Sequence, residues 1–360
     1  MKILVVNAGS SSLKCWYHDL LGDALDAPPA HPLWSQDVDW DAKTDIETTF
    51  ASVLQSLPGP VELAGHRIVH GGKFRTPAIL TPEVRAAIAE EDSIAPAHNR
   101  LALEAVDILQ RRFGASLKQI AVFDTGFHAT LPPEAYVYPG PYAWLEAGIR
   151  RYGFHGISHG YAARRAAQLL GGDPASLRLI TCHLGNGASL AAVRGGKSID
   201  TTMGFTPLEG LMMGSRSGSV DPGILIYLLR QHGYTADQLE DILYKQSGLL
   251  GISGISSDMR EILAAIDRGD PRARLAFDIY LHRLVREIGS MLAVLGGADA
   301  LVFTGGVGEN CGPLRDRSVE QLKFLPNLRV LVIHAEEEWE IARQCFELQS
   351  SNAGGTGVRT

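Results

Sequence analysis

No Cys-x-x-Cys pair occurs in these 360 residues, and the four cysteines, Cys15, Cys182, Cys311 and Cys345, stand far apart. That argues against a zinc finger or a disulfide framework and leaves reduced core thiols as the expectation. There is no long apolar run of the kind a membrane-spanning helix needs; the best candidate, around residues 291–303, is interrupted by Asp299. The apolar opening at residues 3–6 is too short for the core of a secretion signal, so a cytoplasmic location is expected. No Gly-x-Gly-x-x-Gly follows the first strand, and no Gly-x-x-x-x-Gly-Lys-Ser/Thr occurs anywhere, which argues against a Rossmann domain and a P-loop. Basic residues are in the minority, 33 Lys and Arg against 40 Asp and Glu. The resulting charge of -7 disfavours broad binding to nucleic acid or anionic membrane. An anionic small ligand needs only a local positive cleft. Histidine is plentiful, but the four-residue pairs His66/His70 and His155/His159 lack the glutamate and the unbroken helix of a zinc hydrolase.

What is present is an ordinary globular composition, 45% hydrophobic and 20% charged, at a length that suits two or three domains. Residues 2–6 form a short β-rich run, a small polar turn follows, and a second run covers 13–17. Residues 61–70 hold another apolar run that ends in His70-Gly71-Gly72. Helical periodicity covers 82–91 and 100–113, and 118–123 reads as a strand ending at Asp124. A helix is expected over 158–170 with Ser158 as its cap. The opening pattern then returns as strand 177–182, the turn Gly185-Asn186-Gly187-Ala188-Ser189, and strand 190–193. Helices are expected over 221–232, 235–245, 258–268 and 271–295, strands over 300–304 and 329–333, and a last helix from about residue 336 to 348. The tail from Ser350, rich in Gly, Ser and Thr, is expected to be disordered. Strands mixed with long helices predict α/β layers, and the hairpin starts predict mixed sheets in two related halves.

Three Gly-rich turns fall at strand ends, at residues 7–12, 185–189 and 305–310. Glycine permits close backbone approach, and successive N–H groups in such turns make anion-binding concavities. Two of the three occupy matching places in the apparent repeat, which points to a polyphosphate held between two lobes. Lys14, just past the first turn, reads as a phosphate ligand or as an exposed strand lysine. Arg67, in apolar text, offers a planar fork to a carboxylate or phosphate, or forms a structural ion pair. Arg216, in Met213-Gly214-Ser215-Arg216-Ser217-Gly218, reaches into a cleft or sits on a surface loop. Asp124 at a strand end marks a site or caps the next turn. His155, in Tyr152-Gly153-Phe154-His155-Gly156, has an aromatic and glycine setting that alone assigns no role.

Taken together, several long motifs are recognisable. They are Asn7-Ala8-Gly9-Ser10-Ser11-Ser12-Leu13-Lys14; Gly65-His66-Arg67-Ile68-Val69-His70-Gly71-Gly72; Phe123-Asp124-Thr125 with Phe127-His128; Arg151-Tyr152-Gly153-Phe154-His155-Gly156; His183-Leu184-Gly185-Asn186-Gly187; Met203-Gly204-Phe205-Thr206-Pro207-Leu208-Glu209-Gly210-Leu211; and residues 306–310. Over nearly its whole length the chain resembles the acetokinase family of the acetate and sugar kinase, Hsp70 and actin superfamily. The resemblance implies an α/β fold of two ribonuclease H-like lobes with mixed sheets and the nucleotide cleft between them. Residues 1–128 plus 339–360 would form one lobe and 129–338 the nucleotide-binding lobe. It also implies a homodimer, with neither nucleic acid nor membrane as partner.

The activity implied is reversible, Mg²⁺-dependent transfer of the γ-phosphoryl group of ATP to acetate. Asn7 and Glu337 would hold Mg²⁺, with Mn²⁺ as an alternative; Glu336 and Glu338 adjoin Glu337. Arg67 would bind the acyl carboxylate or its phosphate, and His155 and Arg216 would stabilise the transferring group. Asp124 would be the catalytic carboxylate, orienting the metal's water or His155, because a carboxylate nucleophile needs no base whereas a sugar hydroxyl does. Lys14, His183, Leu184, Gly185, Asn186, Gly187, Asp258, Met259, Arg260, Gly306, Val307, Gly308, Glu309 and Asn310 would surround the nucleotide. Val69, Ala97, Phe154 and Pro207, with Arg67, would line the acyl pocket. Ala97 stands where the family usually has leucine, which puts propionate or another short acid beside acetate as substrate. Another superfamily kinase, or a nucleotide-dependent binder resembling actin or Hsp70, is the competing reading.

Overall fold

In the computed structural model, which describes residues 1–9, 12–21, 29, 31–39, 46–91, 99–171 and 173–354, the chain divides into two compact units. One comprises Met1–Phe127 with Glu336–Thr360, the other His128–Ala335. Residues 336–338 fall in the first unit and not the second, because the last helix begins at Glu337 and Glu337 pairs with Arg67, while His128, bonded to Ser198 and Phe154, falls in the second.

The first unit is built on β1 (Lys2–Ala8), β2 (Ser12–Asp19), β3 (Trp34–Asp39), β4 (Leu63–Ile68), β5 (Ala78–Ile79) and β6 (Lys118–Phe123), in the order β3-β2-β1-β4-β6-β5. β1 runs antiparallel to β2 and parallel to β4, which runs parallel to β6. Ile3, Leu4, Val5 and Val6 are all buried, as a strand covered on both faces requires. On one face Leu4, Val6, Ala8 and Ala64 join Phe50, Leu54, Ala105 and Leu109 from the helices Ile46–Gln55 and Asn99–Phe113. The other face carries Gly65, and here the helix Glu337–Gly354 packs. A Cβ on Gly65 would stand 2.7 Å from Cys345 Sγ and 2.9 Å from Ile341 Cγ2, so glycine permits the close approach.

The second unit holds β7 (Arg178–Leu184), β8 (Ala188–Arg194), β9 (Lys197–Thr201), β10 (Ala300–Thr304) and β11 (Arg329–Val332), in the order β11-β10-β7-β8-β9. β7 is antiparallel to β8 and parallel to β10, and β10 is parallel to β11. The two sheets therefore share one topology: β9-β8-β7-β10-β11 repeats β3-β2-β1-β4-β6 in order and sense. The recurring hairpin turn in the sequence was the visible trace of that repeat.

Several local expectations need correction. The helix expected from Ser158 starts at Gly156, with His155 at its N-cap in the left-handed region; Ser158 is buried inside it and bonds to His183. The expected turn at 305–310 is a short helix, Gly305–Asn310, entered through Gly305 at φ 77°. The last helix continues through Gly354, because propagation adds a backbone bond per residue and Ser351 Oγ also donates to Glu347 O. Residues 355–360 of the expected tail lie outside the described residues. β3, β5 and β9 and the helix Ile46–Gln55 were not anticipated; β3 is polar and largely exposed, so it carries little hydrophobic signal. All four cysteines are free and buried.

Candidate active site

Parallel strands place their functional groups at their carboxyl ends. In the first unit the register Val6↔His66 and Arg67↔Val122 sets Asn7, Arg67 and Asp124 on one face at adjacent strand ends. That face is the one covered by the helix Glu337–Gly354. Asp124 is 1% exposed and grips Arg67 with both oxygens: Arg67 Nε donates to Oδ1 at 3.2 Å and Nη2 to Oδ2 at 2.6 Å. Glu337 Oε2 lies 3.9 Å from the same Nε. Burial pushes the Asp124 carboxyl up, opposed by the Arg67 charge and reinforced by Glu337. The bidentate contact keeps Arg67 charged, its pKa raised by the two carboxylates against the effect of burial. Of the three adjoining glutamates, Glu337 is the one paired to Arg67. Glu338 is pushed up to about 7, chiefly by burial.

Lys14 faces Asn7 across the hairpin, and its Nζ is 2.7 Å from Asp37 on β3. The structure thus shows an ion-paired strand lysine. Val69 is half-buried at the end of β4, and Ala97 lies outside the described residues.

In the second unit, a face of the sheet carries Thr181 and His183 from β7 and Ser189 from β8, since the register pairs Thr181↔Ala191 and His183↔Ser189. The helix Gly156–Leu170 packs here and delivers His155, Ser158 and His159. His155 is the one non-glycine among the described residues with positive φ, 55°. Such a conformation costs about 1–3 kcal/mol and gathers at functional sites. Its side chain makes no capping bond; Nδ1 lies 2.9 Å from Ser189 Oγ, and the ring stacks on His183 at 4.3 Å between centroids. Gly187 brings the site together: a Cβ there would be 3.3 Å from His155 Nε2 and 3.5 Å from Arg216 Nη1. Arg216 Nη1 donates to Pro207 O at 3.0 Å, so Pro207, expected at the acyl pocket, holds the guanidinium. Phe154 is buried, its carbonyl 3.0 Å from His128 Nε2.

Beside this cluster lies a cavity of about 730 Å³, lined by Gly185, Asn186, Asp258, Met259, Arg260, Gly306, Val307 and Asn310 among the residues expected around a nucleotide. Ser257, Leu263 and Cys311 also line it and were not anticipated; each adjoins or sits one helical turn from an expected residue. Asp258 caps the helix Met259–Asp267 and pairs with the exposed Arg260, which lowers the Asp258 pKa. Gly214 lets the Asn186 side chain pass, since a Cβ there would stand 2.1 Å from Oδ1. Leu184, Gly308 and Glu309 do not line the cavity. Leu184 and Gly308 are buried, and Glu309 turns inward: Oε1 accepts from Gly305 N and Ala335 N, each at 2.9 Å, and Oε2 meets His334. Its carboxylate closes a loop, a role that local sequence could not reveal.

The Acetokinase family profile matches residues 40–328. An acetate kinase of Gloeobacter violaceus is 52% identical, covering 96% of this chain and 99% of its own. The crystal structure of Porphyromonas gingivalis acetate kinase superposes with a TM-score of 0.86 at 35% identity, over 97% of this chain and 99% of that one. A propionate kinase from Francisella tularensis superposes at 0.88 with 33% identity, over 96% and 99%. The chain belongs to the acetokinase family.

Proposed function

As a member of that family, we propose, the chain transfers the γ-phosphoryl group of ATP reversibly to acetate, giving acetyl phosphate and ADP. The observation that carries this reading is the convergence of His155 Nε2 and Arg216 Nη1 on Gly187, next to the cavity entered by Gly185 and Asn186. The cavity takes the nucleoside and the convergent donors take the phosphoryl group. A phosphoryl transition state is loose, so positioned positive charge is the main catalytic demand. Acetate is ionised at neutral pH, with a pKa of roughly 4–5 by analogy with side-chain carboxyls, and attacks without a base. Asp124 fits that chemistry: its oxygens are committed to Arg67, so it positions the guanidinium that receives the carboxylate. A sugar kinase would need such an aspartate for proton abstraction.

Among the described residues no cluster of three or more His, Cys, Asp or Glu suits a metal. Mg²⁺ asks for less, one or two carboxylates with water and substrate phosphate. Glu337 beside Arg67, with Asn7 at the adjacent strand end, fits that demand, while Asp124 stays paired with Arg67. Asn7 and Glu337 would hold Mg²⁺ or Mn²⁺, which when bound supplies neutralising charge at the phosphates. A homodimer in the cytoplasm completes the reading. Its support is the helix Pro222–Gln231, which buries no residue and exposes Ile224, Ile226, Tyr227 and Leu229; a second copy of this chain would cover them.

The test is trapping of acyl phosphate as hydroxamate, with ATP, Mg²⁺ and acetate, propionate or butyrate. Hydroxamate from acetate is expected. Its absence with every acid, together with phosphorylation of a sugar hydroxyl, would replace the reading by a sugar kinase. A second reading, propionate as preferred acid, is favoured by Ala97 and is decided by the kcat/KM ranking in the same assay.

A further inference from the structure

We propose that Ser189, His159 and Thr181 form a hydrogen-bond relay that sets which nitrogen of His155 carries its proton, making all three positioning residues for phosphoryl transfer. The inference rests on the role given to His155 above. Ser189 Oγ lies between two imidazoles, 2.9 Å from His155 Nδ1 and 2.7 Å from His159 Nε2. His159 Nδ1 in turn lies 2.7 Å from Thr181 Oγ1. Ser189, His159 and Thr181 are fully buried. Burial, with the neighbouring His128 and His183, holds the His159 pKa well below its ordinary value, so His159 is neutral and carries one N–H.

Donor counting then leaves two consistent orders. In one, Thr181 Oγ1 donates to His159 Nδ1, His159 Nε2 donates to Ser189 Oγ, and Ser189 Oγ donates to His155 Nδ1. A neutral His155 then holds its proton on Nε2, at the ring edge beside Gly187 and Arg216. In the reverse order His155 Nδ1 donates to Ser189, Ser189 to His159 Nε2, and His159 Nδ1 to Thr181, as an imidazolium or the neutral Nδ1–H tautomer requires; an anionic oxygen beside Nε2 favours the first order. The relay supplies Nδ1 with a donor, and that donor is what the Nε2–H form needs to face an anionic phosphoryl oxygen. The left-handed backbone at His155 and the stacked His183 ring hold the plane in which this proton points.

The test uses the full chain. Ser189→Ala is expected to lower kcat about tenfold to a hundredfold, the scale for a misplaced reacting group, with KM for acetate and ATP changed less than about threefold. Thr181→Val, two hydrogen bonds further from the reacting atoms, is expected to lower kcat in the same direction, and Thr181→Ser to restore it. Nitrogen NMR at about pH 8.5, above the imidazole range, with His155→Gln to assign the signal, is expected to show an unprotonated Nδ1 in the wild type and mixed tautomers in Ser189→Ala. A folded Ser189→Ala enzyme with kcat within threefold of wild type would overturn the relay. So would a Thr181→Ser enzyme as impaired as Thr181→Val, since size and not the hydroxyl would then matter. If the wild type forms no acyl phosphate, the functional reading fails and the nitrogen spectra alone decide the relay.

Discussion

Replacing Gly187 by alanine tests the convergent site with a single methyl group. Gly187 is not among the glycines with positive φ, so its backbone accepts alanine without strain. The added Cβ would stand 3.3 Å from both Cε1 and Nε2 of His155 and 3.5 Å from Arg216 Nη1. Carbon atoms rest comfortably at about 3.5–4.0 Å, so the ring edge must give by a few tenths of an ångström. The larger effect is occupancy. Donors that stabilise a transition state work at about 2.7–3.1 Å from the charged oxygen, and the methyl occupies the space in which an oxygen could approach both donors. Displacement of a reacting group by about 1 Å costs on the order of 10²-fold. We therefore expect kcat to fall about 10- to 100-fold, about 1.4–2.7 kcal/mol of lost transition-state stabilisation. The hydroxamate assay gives kcat and both KM values, and calorimetry gives ADP affinity. ADP binding is expected to change less than about threefold, because Gly187 does not line the cavity. Gly312→Ala serves as control, since nothing lies within 4 Å of its Cβ position. A soluble Gly187→Ala enzyme with unaltered melting temperature and kcat within threefold of wild type would refute the reasoning.

Arg216→Ala is expected to lower kcat by roughly 10³ or more, the low end for arginines that meet a transferring phosphoryl group; a loss below tenfold removes Arg216 from the mechanism. Gly65→Ala pushes a methyl against Cys345 and Ile341 and is expected to cost about 1–3 kcal/mol in urea denaturation; unchanged stability would mean the last helix is not seated there. His66, buried beside Gln119, has its pKa lowered by burial from 6.5 to about 4. Because the folded value is depressed, its contribution to stability is full above pH 6.5 and is lost as pH falls toward 4. His66→Gln is expected to reduce the pH slope of unfolding free energy in that window by up to about 1.4 kcal/mol per unit; an unchanged slope would show that His66 titrates freely.

Hairpin, periodic helix and strand-end motif were legible because each is written in neighbouring residues. Ile3 to Val6, Ile120 to Phe123 and the long helix Pro271–Leu295 announce themselves by apolar pattern, and the repeated small polar turn announces the doubled topology. Family membership was legible for the same reason, through long motifs such as the one around Arg67. Lys14, Arg67, Arg216, Asp124 and His155 were singled out one at a time, each with a bland reading beside the functional one, and the rest, outside the Gly-rich turns, came only with the family resemblance. The structure pairs Lys14 with Asp37 and turns Glu309 inward to close a loop. Ser189 was visible only as the last residue of a turn. Its place between His155 and His159 depends on the β7/β8 register and on a helix packed across that sheet. Composition and local pattern thus determined most of the buried elements, their repeat and the chemistry to look for. Tertiary structure decided which side chains share a proton, a carboxylate or a cavity, because those pairings join residues distant in the chain and hydrogen bonds form only within about 3 Å.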